Sequence, residues 1–229
     1  MADYRYNLKK TEDQITAAAH RSGRNPRDIS LLAVGKFFSP GALKQVYDSG
    51  VRLFGESRAQ ELRDKVPLLP ADIKWHFIGP LQTNKLKYVI PVAELIHAVD
   101  TEKLAEALSS FGLKHDKTPQ ILIEINTSGE QAKKGFSVEE TVDKVLKIHA
   151  LQNVKIRGLM TMAPFVDDIT LIRKSFSTLK RKFDEISTQL KDPEFNILSM
   201  GMSGDFETAV EEGSTLVRIG TGIFGPRRR

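Results

Sequence analysis

The sequence predicts an α/β fold: a single (β/α)8 barrel preceded by an extra N-terminal helix. Three observations carry this prediction. Eight short, apolar, β-rich runs alternate with helical patterns along the chain. Two successive strand-to-loop junctions between Asn196 and Gly225 offer small residues where an anion could sit, as do the loops after the seventh and eighth strands of such barrels. Finally, once a 28-residue lead-in is set aside, the 229-residue chain leaves roughly 25 residues per β/α unit, near the lower limit for this architecture.

The elements follow in order. Residues 1–28 read as an N-terminal helix and lead-in. Strands are predicted at 29–34, 51–54, 73–78, 95–99, 120–125, 154–162, 197–198 and 216–219. Between them, the clearest helix starts at Ser39, an N-cap followed by Pro40 at the first helical position, and stops at Gly50. Further helices are predicted at 58–66, 84–89, 102–111, 138–150 and 169–190. A last short helix at 206–212 is closed by Gly213, with Ser203 or Asp205 as its N-cap.

Composition narrows the class. With 40% hydrophobic residues and no Pro/Gly/Ser-rich linker, residues 1–229 are expected to form one domain. The absence of cysteine excludes disulfides, thiolate metal sites and thiol catalysis, and no metal site is expected. No apolar run approaches a membrane span and the start MADYRYNLKK lacks a signal-peptide core, so a cytoplasmic protein with no membrane partner is expected. The net charge of +5 is spread among acids on presumed helix faces, apart from Arg227-Arg228-Arg229. Nothing resembles the basic, aromatic-interleaved stripe of a nucleic-acid binder, although the balance suits an anionic ligand.

Chemistry gathers at two places. The first junction runs from Ile197-Leu198 through Ser199-Met200-Gly201-Met202 into Ser203-Gly204-Asp205; the second runs from Leu216-Val217-Arg218-Ile219 into Gly220-Thr221-Gly222. Missing or short side chains there let backbone N–H groups approach a phosphate. Lys36, in LLAVGK at 31–36, follows the first strand and so belongs to the same rim of the barrel. A lysine amine among apolar groups loses part of its charge and becomes a nucleophile towards aldehydes. An amine and a phosphate cup on one rim are the two anchors that pyridoxal 5′-phosphate (PLP) requires.

Nearly the whole chain resembles the YggS/PROSC family of pyridoxal-phosphate homeostasis proteins, which look like the barrel domain of alanine racemase standing alone. The resemblance rests on LLAVGK at 31–36, FGESRAQEL at 54–62, WHFIGPLQTNK at 75–85, GLMTM at 158–162 and SMGMSGDFETAVEEGSTLVRIGTGIFG at 199–225. It implies a type III PLP fold in which Lys36 is the Schiff-base lysine, Ser203 with Gly220 and Thr221 seats the phosphate, and Arg218 approaches the pyridine nitrogen. Two positions depart from the family pattern. No second lysine follows Lys36, where Phe37-Phe38-Ser39-Pro40 stand, and Ser57 replaces the asparagine of FGEN.

Ser57, His76, Met160 and Ser199 are further candidates for contact with the cofactor. A strand histidine is more often a satisfied core residue than a ligand, and Trp75 reads as packing. Met160, Met162, Met200 and Met202 sit at strand spacing, which predicts one of each pair inward, against the cofactor's ring. The loop through Asn126-Thr127-Ser128-Gly129 and Lys133-Lys134-Gly135 is expected at the barrel mouth by the resemblance.

A guanidinium beside the pyridine nitrogen disfavours its protonation and weakens the ring as an electron sink. Racemisation also needs acid/base groups on both faces of the substrate, and none of Tyr4, Tyr6, Tyr47 and Tyr88 lies in a motif suited to that role. The expected protein is therefore not an enzyme. It holds PLP as a Schiff base, buffering or supplying it, with apo PLP-dependent enzymes as conceivable recipients and a monomeric state. The alternatives are a weak PLP-dependent amino-acid racemase and a Schiff-base aldolase acting on a sugar phosphate.

Overall fold

The computed structural model describes residues 3–130 and 133–226. Its strands are β1 (Ser30–Val34), β2 (Leu53–Glu56), β3 (Lys74–Phe77), β4 (Ala93–Val99), β5 (Gln120–Asn126), β6 (Phe136–Ser137), β7 (Lys155–Met160), β8 (Ile197–Ser199) and β9 (Leu216–Ile219). All pairings are parallel, in the order β4-β3-β2-β1-β9-β8-β7-β5, and a β4–β5 pairing closes the ring. The result is the predicted eight-stranded barrel. Among the described residues β6 is the one strand outside it: a two-residue edge on β5, formed by the loop after that strand.

The period of two along each strand decides which residues face the barrel interior. In β5, Ile121, Ile123 and Ile125 join the large core between strands and helices, while Leu122 and Glu124 alternate with them. Leu122 packs instead with Leu95 and Met160 in a small inner cluster. By the same alternation Val217 and Ile219 face the helices and Arg218 the interior, as do His76, between Trp75 and Phe77, and Ser199, between Leu198 and Met200. The predicted packing role of Trp75 agrees with its burial in the large core.

The helices are α1 (Tyr4–Arg21), α2 (Pro40–Asp48), α3 (Ala59–Lys65), α4 (Leu86–Val89), α5 (Glu102–His115), α6 (Thr141–His149), α7 (Ile169–Leu190), α8 (Phe206–Glu211) and α9 (Thr221–Phe224). Ser39 caps α2 as predicted, its Oγ accepting the Ala42 N–H. α1 buries Leu8, Thr11, Ile15, Ala18 and Ala19, a stripe at helical spacing, on the side of α8 and α9.

Three predictions need correction. The strand predicted to run to residue 162 stops at Met160; Thr161 makes the last bond to β8, its N–H donating to the Ser199 carbonyl, while its hydroxyl donates to the Ile125 carbonyl of β5. Asp205 does stand at the N-cap position of α8, but it makes no side-chain cap bond, since its carboxylate accepts the Met202 N–H. The cup at Gly220-Thr221-Gly222 is not an open loop but the start of a helical turn, α9.

Candidate functional site

The ends of β1 and β9 bring the two anchors together. Their register pairs Ala33 with Ile219, so Lys36 and the Gly220–Gly222 segment leave neighbouring strands at one rim. Gly220 lies against Val34, with room for a side chain about 3.6 Å from Val34 Cβ. Stacked rings of Phe38 and Phe224, 4.7 Å apart, fasten the Lys36 turn to α9, and Tyr4 of α1 meets Phe224 edge-on. Lys36 itself is half-buried.

The candidate cup is built from backbone. The N–H groups of Gly220 and Gly222 both donate to Ser203 Oγ, at 3.3 and 3.1 Å. One hydroxyl thus joins the two junctions and holds two donors convergent, the arrangement an anion would exploit. Gly201 bends the first junction at φ 95°, and a Cβ there would lie 2.6 Å from Ala209 Cβ. No such residue but glycine fits both the angle and the gap. Thr221 is exposed at the first turn of α9. A groove of about 320 Å³ opens onto the cup, lined by Ser203, Gly204 and Gly222 and by Asn7, Thr11 and Gln14 of α1.

Inside the barrel a polar chain runs from β9 to β3. Arg218 donates from Nη1 to the carbonyl and hydroxyl oxygens of Ser199, at 2.9 and 2.7 Å, and from Nη2 to the Thr161 carbonyl at 2.8 Å. Ser199 Oγ lies 3.1 Å from His97 Nδ1, and His97 Nε2 lies 2.9 Å from His76 Nδ1. Burial holds both imidazoles neutral, His76 at about 3 and His97 well below its usual 6.5. His76 is therefore a satisfied interior residue, three links away from Arg218. Burial also lowers the Arg218 guanidinium to about 10, with Asp205 and Glu124 supporting its charge, so it remains a cation at neutral pH.

A cavity of about 390 Å³ occupies the mouth beside this chain. Its walls are mostly apolar, including Ile78, Ala98, Met160, Met162 and Met202, with Glu124 and Asp205 as acids. Size and lining suit a small aromatic molecule. Burial, helped by Asp100, raises Glu124 to about 7, and burial raises Asp205 as well. Asp205 borders both this cavity and the groove at the cup.

Of the four methionines read at strand spacing, Met160, Met162 and Met202 line the cavity while Met200 is in the large core, so the one-of-each-pair expectation holds only for the second pair. The two positions of the first pair share one parity, and the strand ends between them. Asn126, Lys133 and Lys134 line the cavity too, which places those residues of the polar loop at the mouth; residues 131–132 of the loop lie outside the described residues. Ser57 faces elsewhere, into an adjoining basic cleft with Arg58, Arg63 and Lys85. His97 and Glu124 escaped the sequence reading. Each is the buried ionisable residue of its strand, flanked by apolar neighbours on both sides, a signal that alternation alone could have flagged.

A closed parallel barrel with a lysine after its first strand and a glycine phosphate cup after its last two defines a PLP-barrel protein of the racemase type. Residues 7–228 match the family model described as the alanine racemase N-terminal domain. The pyridoxal phosphate homeostasis protein of Aquifex aeolicus is 38% identical over 226 residues, which cover 96% of this chain and 97% of that protein. An unknown protein from Bifidobacterium adolescentis superposes with a TM-score of 0.92 at 35% identity, with 97% of each chain covered. PipY of Synechococcus elongatus, solved with PLP bound, gives a TM-score of 0.79 at 31% identity over 92% of this chain and 100% of that one. The chain belongs to the pyridoxal phosphate homeostasis proteins, within the alanine racemase N-terminal domain family.

Proposed function

We propose that this protein holds PLP covalently but reversibly at Lys36 and serves cofactor homeostasis by limiting, buffering or supplying it. The observation that carries the reading is the β1–β9 register, which sets the lysine and the paired Gly220 and Gly222 donors side by side on one rim. The relative solved with PLP bound supports it.

The residues present fit the cofactor. Ser203, Gly220, Gly222 and Thr221 would hold its phosphate, and the apolar cavity with Met160 would receive the ring face. The cofactor would supply an aldehyde, a group able to condense with an uncharged primary amine such as that of Lys36 with loss of one water. Arg218 stays charged in the interior and opposes protonation of a pyridine nitrogen brought near it. The neutral His76–His97–Ser199 chain adds no second cation.

The same geometry favours a carrier over a catalyst. Tyr47 donates its hydroxyl to Asp72, Tyr88 lines the basic cleft, Tyr4 packs on Phe224, and Tyr6 is exposed on α1. None of the four lines the mouth cavity, whose acids are Glu124 and Asp205, so no tyrosine stands there as the second acid/base group of a racemase. Delivery to apo PLP-dependent enzymes by a monomer is the corresponding mode of action.

Borohydride reduction and peptide mass mapping test the reading. The pyridoxyl adduct is expected on Lys36 and absent in Lys36→Ala; an adduct mainly on another lysine overturns it. Incubation with L-amino acids in deuterated water tests the carrier role. Rapid α-deuterium exchange that disappears in Lys36→Ala would establish an enzyme instead.

A further inference from the structure

The turn that presents Lys36 has an unfavourable backbone. The Phe38 N–H donates to Gly35 C=O at 3.0 Å, closing a four-residue turn whose third residue, Phe37, has φ 70°. That position in a type II turn normally falls to glycine or asparagine, and a bulky side chain persists there only where its surroundings over-determine it.

Those surroundings come from behind the barrel wall. Lys65, the last residue of α3, donates from Nζ to the Gly35 carbonyl at 3.0 Å, to Glu56 Oε1 at 2.8 Å and to Glu61 Oε2 at 2.8 Å. Glu61 Oε2 in turn accepts the Phe37 N–H at 2.9 Å, and the Arg58 guanidinium lies 4.7 Å from the Phe37 ring centroid. The peptide groups on both sides of Lys36 are therefore tied to one charged cluster.

That cluster is costly to maintain. The Lys65 side chain is 9% exposed and that of Glu56 is 0% exposed, and Glu56 Oε2 is the buried side-chain oxygen without a hydrogen-bond partner among the described residues. Well-packed apolar residues would be at least as stable in such a place, so stability alone does not account for burying these charges. Lys36 also lies within the electrostatic reach of Glu56.

We propose that Lys65 is a positioning residue for Lys36: with Glu56 and Glu61 it fixes the two peptide groups flanking the lysine and so holds the amine ready for attachment. The proposal rests on Lys36 being the attachment site and adds to that reading a device for presenting it.

The test separates attachment from binding. The rate of PLP attachment to Lys36 is followed by borohydride trapping and peptide mass, across pH. Affinity is measured with pyridoxine 5′-phosphate, which has the ring and phosphate but no aldehyde. Three variants are compared: Lys65→Met, the double variant Lys65→Met/Glu56→Gln, which leaves no uncompensated carboxylate at position 56, and Glu61→Ala, which leaves the Glu56–Lys65 pair in place. Attachment should slow about tenfold or more in each, as expected when a reacting group is misplaced by a fraction of an ångström. Its pH profile should shift, while pyridoxine 5′-phosphate binds as before. An unchanged attachment rate and pH profile in the Glu61→Ala and double variants overturns the proposal, and so does a parallel loss of attachment and pyridoxine 5′-phosphate binding. An adduct away from Lys36 in the unaltered protein would instead sink the site reading on which the proposal stands.

Discussion

Arg218 donates to Ser199 Oγ across 2.7 Å in the barrel interior, and the same hydroxyl meets His97 at 3.1 Å. Ser199 is thus the joint between a buried cation and a buried neutral imidazole pair. Replacing it by alanine removes the joint but leaves Arg218 its two carbonyl acceptors. We expect Ser199→Ala to cost about 1–2 kcal/mol in urea unfolding. Arg218→Met strips two carbonyls of their donor and Glu124 and Asp205 of their nearby cation, and should cost about 3–5 kcal/mol. Equal costs for the two variants would show that the guanidinium contributes nothing beyond its bond to Ser199.

The cup predicts discrimination by phosphate. Ser203 Oγ holds the Gly220 and Gly222 N–H groups together, and hydrogen bonds to a charged group contribute about 1.5–3 kcal/mol each. Ser203→Ala should weaken PLP by about tenfold or more on that scale. Pyridoxal without its phosphate should change little. Equal losses for both ligands in a titration would assign Ser203 to folding or to the ring.

Gly201 makes a stability prediction at the same place. At φ 95°, with Ala209 Cβ 2.6 Å and Phe206 Cα 2.9 Å from where a Cβ would stand, alanine is both strained and crowded. Gly201→Ala should therefore destabilise by more than about 1 kcal/mol in thermal or denaturant unfolding and displace α8 from the cup. Gly204, with open space around it, is the control.

Glu124 makes a pH prediction. Its carboxyl is raised from 4.5 to about 7, first by burial and then by Asp100, against the opposing effects of Arg218 and Lys134. The folded state therefore binds more protons than the unfolded state between those values. Glu124's contribution to stability is fully present below 4.5 and is lost as pH rises through about 7. Glu124→Gln does not titrate, so its stability relative to the parent should increase between about pH 5 and pH 8, by about 2–4 kcal/mol. Glu56 and the buried histidines are common to both proteins and cancel to first order. A difference that stays flat with pH would mean that Glu124 titrates as an ordinary carboxyl.

Local sequence determined the barrel. Apolar strands of three to seven residues alternating with capped helices leave few arrangements that bury both faces of a parallel sheet, and all eight barrel strands were legible for that reason. Lys36 and the two glycine-rich junctions were legible too, because strand ends and missing side chains are written in the chain itself. Only the tertiary structure decided what those groups meet. The Ser203 bonds to Gly220 and Gly222 span 17 and 19 residues, the His97–Ser199 contact spans 102, and Lys65 reaches Gly35 across 30. Such contacts follow from barrel register and from the inward or outward turn of each strand residue, quantities set by closure of the whole sheet. That is why Glu124 and His97 passed as strand residues, why Met200 went to the core while Met162 reached the cavity, and why Glu56 and Glu61, though inside FGESRAQEL, gave no local sign of meeting Lys65 behind Lys36.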